Sequence, residues 1–124
     1  MTVQRFYALL GADYAEAIRR IGNDDRIRKY LGILQRDDSM DVLQRALSEN
    51  DADTAFRAAH TIKGSALNLG LTRLTDCSSR LTEALRPKTI DGAVAPLAEE
   101  TARAYRETMA RIGDLLAQPE TERP

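Results

Sequence analysis

The sequence contains no tryptophan, two phenylalanines, four tyrosines and one cysteine among its 124 residues. The single cysteine, Cys77, excludes an internal disulfide bond. No apolar run approaches the roughly 20 residues that span a bilayer, and the first residues lack the apolar segment of a signal peptide. We therefore expect a protein of the cytoplasm, without a membrane partner, whose core consists mainly of Leu, Ile and Ala.

An excess of either charge is also missing. The 18 Lys and Arg residues are balanced by 19 Asp and Glu residues, and the two signs are interspersed along the chain. A dedicated nucleic-acid-binding domain would carry a clustered basic excess. The composition thus argues against nucleic acid as a partner.

Helical patterns dominate what is present. Leu and Ala, which favour helices, are abundant, and no segment reads as a clean strand of alternating apolar and polar residues. Apolar residues at helical spacing predict short helices over residues 2–10 and 13–21, and longer ones over 52–69, 71–85 and about 94–116. Gly11, Gly70 and Pro87 stand where helices should end.

The segment 25–49 allows two interpretations. Three capping residues, Asp37-Asp38-Ser39, could break it into two helices. Alternatively, it forms one long helix, with Ile27, Leu31 and Leu34 covered by the short N-terminal helices. In that case Tyr30, Ile33, Met40, Leu43 and Leu47 would face the main bundle. We favour the long helix, because the N-terminal helices need a surface to pack against.

Short links place consecutive helices side by side and antiparallel. The predicted fold is therefore all-α: an up-and-down antiparallel four-helix bundle with two short N-terminal helices, forming a single domain over residues 1–118. Residues 119–124 are polar, end in proline and are expected to form a loose C-terminal tail. We expect the domain to be a monomer.

The chemistry of the chain centres on His60, its only histidine. Ala59, Ile62 and Ala66 form the apolar stripe of the surrounding helix, so the imidazole should lie beside that stripe and reach solvent. With one His and one Cys, the chain offers few ligands for a metal. A hydrolytic triad would need Ser and Asp around the ring and an oxyanion hole, for which a bundle surface has no preformed pocket. Nucleophilic attack on phosphorus fits better, because a neutral imidazole carries a free lone pair.

Two neighbours share the face of His60. Lys63, three residues on, can meet an anion placed on the ring. Gly64, four residues on, costs about 1 kcal/mol relative to Ala inside a helix. This glycine either permits close helix packing or leaves clearance for a bulky group, and its angular position favours clearance. Arg57, three residues before His60, is a second cation that could meet a phosphoryl group.

The stretch Ala59-His60-Thr61-Ile62-Lys63-Gly64-Ser65-Ala66, which closes on Leu69-Gly70, resembles the signature of histidine-containing phosphotransfer (HPt) domains. The preceding Phe56-Arg57-Ala58 is similar to the phosphotransfer domain of bacterial chemotaxis kinases. The segment 11–24 is similar to the lead-in of many HPt domains. The resemblance covers residues 11–116, and only its His60 stretch is specific.

This resemblance implies a phosphorelay intermediate that takes a phosphoryl group from the aspartyl phosphate of one receiver domain and passes it to another. It implies no turnover of a small-molecule substrate, so the chain is not expected to be an enzyme. His60 would be the phosphoacceptor through Nε2, Lys63 would steady the phosphoryl oxygens and Gly64 would provide approach space. The partners would be receiver domains of response regulators or of a hybrid histidine kinase. The Mg²⁺ needed for transfer would belong to the receiver, so no cofactor or metal is expected in this chain.

One position departs from the family pattern. Many members carry Gln or Glu 22 residues after the histidine, where that side chain orients the ring. Here this position is Thr82, followed by Glu83. Because threonine is shorter, the resemblance implies weaker positioning of the imidazole.

A docking surface is expected around His60. Phe56 and Leu67 are its apolar candidates, although Phe56 could equally be a residue at the boundary of the core. Arg57 and Asn68 would belong to its polar rim. A competing hypothesis is a non-phosphorylated scaffold or adaptor that uses the same bundle. Because both His60 and Lys63 are present, the sequence favours the phosphorelay carrier.

Overall fold

The computed structural model describes residues 1–117, which contain seven α-helices and no strand. In chain order the helices are α1 (Val3–Leu10), α2 (Tyr14–Ile21), α3 (Asp24–Arg36), α4 (Ser39–Ser48), α5 (Ala52–Asn68), α6 (Thr72–Leu85) and α7 (Val94–Ala117). The predicted all-α class is therefore confirmed. The predicted tail over residues 119–124 lies outside the described residues.

Side-chain caps determine where several helices begin. The carboxylate of Asp13 accepts a hydrogen bond from the backbone N–H of Glu16 at 3.0 Å, at the start of α2. Asn23 and Asp51 accept equivalent hydrogen bonds at the starts of α3 and α5. Gly70 follows α5 with a φ of 67°, the left-handed conformation that glycine adopts without strain. The predicted starts of α2 and α5, and the end of α5, are confirmed.

The single long helix favoured for residues 25–49 is wrong, because α3 ends at Arg36 and α4 begins at Ser39. Asp37 has an extended backbone, with φ −73° and ψ 141°, and its carboxylate accepts the backbone N–H of Ser39 at 3.2 Å. This turn satisfies a backbone donor locally, so the chain can change direction without continuing the helix. Three helices, α1 to α3, therefore precede α4, whereas the prediction had two short N-terminal helices followed by one long helix.

The break also changes which side chains are buried. Met40 and Leu43 enter the core as expected, but Ile33 is 46% exposed and does not face the bundle. A helix that stops at Arg36 is free to orient its own apolar side, here Ile27, Leu31 and Leu34, without aligning it to that of α4.

The core is shared by nearly all the helices. α4 packs against α5, α5 against α6 and α6 against α7, while α3 packs against α2 and α7, and α1 against α7. The largest fully buried side chains are Phe6, Tyr7, Ile27, Leu31, Leu43, Ile62, Leu71, Leu74, Leu81, Leu85, Ile112 and Leu115. Helix α5 thus has α4 on one flank and α6 on the other. None of the helices in residues 1–117 has the length and apolar composition to cross a membrane.

The N-terminal helices hold the C-terminal end of α5. The hydroxyl of Tyr7 donates a hydrogen bond to the carbonyl of Leu69 at 2.6 Å, and the backbone N–H of Asp13 donates to the carbonyl of Gly70 at 2.9 Å. A Cβ atom at Gly70 would overlap the carbonyl oxygen of Asp13. The helix that carries His60 is therefore fixed both along its length and at its end.

Candidate functional site

His60 lies on the solvent-facing side of α5 and is exposed. The opposite side of the helix is almost entirely alanine: Ala55, Ala59 and Ala66 are fully buried together with Ile62. Alanine favours the helical backbone, and its small side chain lets α4 and α6 approach closely. The predicted apolar stripe is confirmed, and burying it presents the imidazole to solvent.

The residues around His60 divide between the two flanks of α5. Arg57 and Thr61 line a groove that α5 forms with Ser39 and Val42 of α4. The guanidinium of Arg57 pairs with Asp53 at 3.0 Å, one turn earlier on the same helix. Arg57 is thus turned toward α4 and already has an anionic partner.

Gly64 stands in open space. Apart from the adjoining residues and the backbone of α5 itself, a Cβ atom at this position would meet no atom within 4 Å, and the residue is exposed. No neighbouring helix packs against it, so close helix packing does not account for the glycine. The absent side chain leaves free volume one turn from the imidazole.

Lys63 lies on the α6 flank of His60 and is half-buried. Hydrogen bonds from Arg86, at 3.0 and 2.7 Å, and more weakly the charge of Lys63, hold the pKa of the Glu83 carboxyl below its usual range. Within residues 1–117, neither a hydrogen bond nor an ion pair occupies the ammonium of Lys63. The ammonium therefore lies close to α6 but is not bound to any one side chain there.

Phe56 places its ring beside the imidazole. Its ring lies nearly parallel to that of His60, with an interplanar angle of 4° and centroids 6.2 Å apart. The guanidinium carbon of Arg86 lies 5.2 Å from the centroid of the Phe56 ring, and the ammonium of Lys88 lies 5.7 Å from it. Lys88 also forms an ion pair with Asp53. Phe56 therefore connects the imidazole to two cations that follow α6.

Sequence reasoning did not find Arg86 and Lys88. Neither residue shares a helix with His60, and nothing in their local sequence marks them. The one available signal was topological: in an antiparallel pair, the end of α6 must lie opposite the start of α5. Residues just after Leu85 therefore come close to Phe56.

Thr82 does not meet the imidazole. Its side chain is fully buried, and its hydroxyl donates its one hydrogen to the carbonyl of Ser78 at 2.7 Å. The next residue, Glu83, is exposed but is hydrogen-bonded to Arg86. Across residues 1–117 no side-chain hydrogen bond reaches His60, whose ring lies against that of Phe56.

The two remaining docking candidates lie on different flanks. Leu67 is 42% exposed and lines a groove with Thr75 and Ser79 on the α6 side. Asn68 is exposed but lines a separate groove on the other flank, together with Ile33 of α3. The structure thus groups Phe56, Lys63 and Leu67 beside His60, and it places Asn68 apart from them. No group of three or more metal-ligating side chains comes together in the part of the chain that the structure describes.

Comparison with known proteins shows which family the chain belongs to. A family model described as the Hpt domain matches residues 35–118, which is more than half of the chain. The chain belongs to the HPt domain family. The matched region begins at the end of α3 and contains α4 to α7, including His60 and the residues around it.

A solved HPt structure shows the same fold. The HPT domain of an Hpt sensor hybrid histidine kinase from Shewanella superposes with a TM-score of 0.77 at 16% sequence identity. The match covers 90% of this chain and 98% of that domain, so the likeness extends beyond the residues that the family model matches. Among curated proteins, none is significantly similar in sequence. Membership of the HPt family supports a phosphotransfer role in two-component signalling, with receiver domains as the class of partner.

Proposed function

We propose that this HPt domain carries a phosphoryl group on His60, which it accepts from the aspartyl phosphate of one receiver domain and delivers to another. The observation that supports this most is the exposure of His60 beside the open space at Gly64. In-line attack on phosphorus requires free access on the side of the nucleophile and room for the receiver that brings the phosphate.

The transfer is a single displacement. The lone pair of Nε2 attacks phosphorus while the bond between phosphorus and the aspartyl oxygen breaks, and the electron pair of that bond stays on the receiver's carboxylate. The ring initially keeps its hydrogen on Nδ1 and can release it to water. Delivery to the second receiver reverses these bond changes on a new carboxylate. The Mg²⁺ expected for transfer would be held by the receiver, where it would supply positive charge to the phosphoryl group.

Lys63 supplies charge on the side of this chain. Its ammonium has no fixed partner in residues 1–117 and stands one turn from the ring, so it can approach the phosphoryl oxygens once the nitrogen–phosphorus bond forms. Arg57 is less suited, because it is already paired with Asp53. Leu67 and Phe56 give the docking face its apolar part on the α6 flank.

The proposal is tested by incubating the protein with a receiver domain phosphorylated on its aspartate, in the presence of Mg²⁺. We expect an acid-labile, alkali-stable label on the wild-type protein and none on His60→Gln. Equal labelling of the two proteins would show that another residue is the acceptor. A wild type that binds the phosphorylated receiver but takes no label would instead favour the non-phosphorylated adaptor.

A further inference from the structure

We propose that Phe56 is a positioning residue for His60, and that Arg86 and Lys88 hold Phe56 in place from the end of α6. This inference rests on the proposed function, because it concerns how the phosphoaccepting ring is oriented. Its structural basis is the set of contacts in which a phenyl ring connects the imidazole to two cations.

The contact between the two rings restricts the imidazole directly. Aromatic pairs attract when their centroids are about 4.5–7 Å apart, and near-parallel rings at the upper part of that range are offset, not superposed. The observed values of 6.2 Å and 4° match this arrangement. An exposed imidazole without such a neighbour would sample several side-chain rotamers. Because the lone pair of Nε2 lies in the ring plane, a fixed plane also confines the direction of attack to that plane.

The Phe56 ring is itself held from several directions. It is half-buried and packs against the core on one side. Arg86 and Lys88 both lie within the roughly 6 Å at which a cation is attracted to an aromatic ring. Arg86 is fixed by two hydrogen bonds to Glu83, and Lys88 by its ion pair with Asp53. The phenyl ring is thus tied to α6 and to the residues that follow it.

The backbone after α6 supports the same interpretation. Lys88 has a φ of 67°, a left-handed conformation that non-glycine residues rarely adopt. In this conformation its ammonium reaches both Asp53 and the Phe56 ring. Thr82 makes no polar contact with the imidazole. In its place, the ring of Phe56 stacks beside the imidazole and is held by Arg86 and Lys88 at the end of the neighbouring helix.

The test uses the fact that His60 is the only histidine, so the protein has one set of imidazole NMR signals. Phe56→Leu keeps an apolar side chain but removes the ring, whereas Phe56→Tyr keeps the ring. We expect Phe56→Leu to change the chemical shifts of the carbon-bound ring protons of His60, because the ring current of the phenyl group is lost. The maximal rate of transfer from a phosphorylated receiver should fall about two- to tenfold, the range that one aromatic pair accounts for. Phe56→Tyr should keep both properties near those of the wild type.

A docking role would change a different quantity. Leu67→Ala, on the same flank but without a contact to the ring, should raise the receiver concentration for half-maximal rate and leave the His60 ring protons in place. Arg86→Gln should give a smaller shift of those protons in the same direction as Phe56→Leu, and it does not disturb the core. The inference is overturned if Phe56→Leu leaves either the ring protons or the maximal rate unchanged. A wild type that accepts no phosphoryl group would refute the proposed function instead, while the NMR comparison would still report on the stack.

Discussion

Replacing Gly64 should separate the stability of the domain from its phosphotransfer activity. Gly64 is an exposed glycine within α5, and a Cβ atom there would contact nothing within 4 Å. A helical glycine of this kind is less favourable than alanine by about 1 kcal/mol. Gly64→Ala should therefore stabilise the fold by about 1 kcal/mol. With an unfolding entropy of about 2.1 cal/mol/K per residue over 124 residues, this corresponds to a rise in Tm of about 4 °C.

A larger side chain at the same position should act in the opposite direction on activity. Gly64→Gln also introduces a better helix former, so its Tm should not fall. The Gln side chain has no neighbour to pack against and extends into the space where a receiver would bring its phosphate. Displacing the phosphate by about 1 Å is enough to slow transfer by tenfold or more. Transfer is measured at a receiver concentration below half-saturation, with Tm from calorimetry on the same samples.

Gly113 provides the matched control. It is also a helical glycine whose Cβ would meet nothing within 4 Å, but it lies on α7. Gly113→Ala should raise the Tm by a similar amount, and Gly113→Gln should leave transfer unchanged. The reasoning is refuted if Gly64→Gln transfers at the wild-type rate, or if Gly64→Ala lowers the Tm and so reveals a packing role.

Three further predictions concern single contacts. Lys63→Gln should lower the maximal transfer rate about tenfold, which corresponds to the loss of about 1.4 kcal/mol of charge-assisted stabilisation. Arg103→Gln on α7 is the control and should leave the rate unchanged, as single-turnover kinetics of the two variants can show. Gly70→Ala should destabilise the fold by about 2 kcal/mol or more, because alanine is strained at a φ of 67° and its Cβ would overlap the carbonyl oxygen of the α2 cap residue. Urea titration measures this loss, and an unchanged urea midpoint would contradict the prediction. Hydrogen bonds from Arg19, and from the arginine after it, lower the pKa of the Glu16 carboxyl to about 2. The stability that ionised Glu16 contributes is therefore complete above its unfolded pKa of about 4.5 and is lost as the pH falls toward 2. Between pH 4.5 and 2, the Tm of Glu16→Gln should decline less than the Tm of the wild type.

Most of the fold could be predicted from the sequence, because its signals are local. Asp13 and Asn23 are capping residues directly before apolar periodic segments, and both cap the helix that follows them. Gly70 ends α5 because only its conformational freedom suits that position, which is also a local property. The stripe around Ile62 predicted which face of α5 is buried.

The break between α3 and α4 could not be decided in this way. Both interpretations of residues 25–49 satisfied local rules, since Asp37 can either turn the chain or lie on an exposed helix face. The choice depends on how α3 packs in the folded domain, and its contacts with α7 join residues far apart in sequence. The exposure of Ile33 follows from the same choice.

The same difference between local signals and contacts between helices applies to the candidate site. The placement of His60, Lys63 and Gly64 follows from the angular positions of residues on one helix, and these were predictable. The contact of Arg86 with Phe56 joins two helices and depends on their relative register. The burial of Thr82 likewise depends on which face α6 turns to the core.

The most direct test of the phosphorelay account is ³¹P NMR of the protein after incubation with a phosphorylated receiver and Mg²⁺, followed by addition of a second, unphosphorylated receiver. The account predicts one phosphorus–nitrogen resonance from His60, which disappears when the second receiver is added and never appears with His60→Gln. A phosphate-ester resonance from a hydroxyl side chain, or a nitrogen-bound resonance that persists after the second receiver is added, would contradict it.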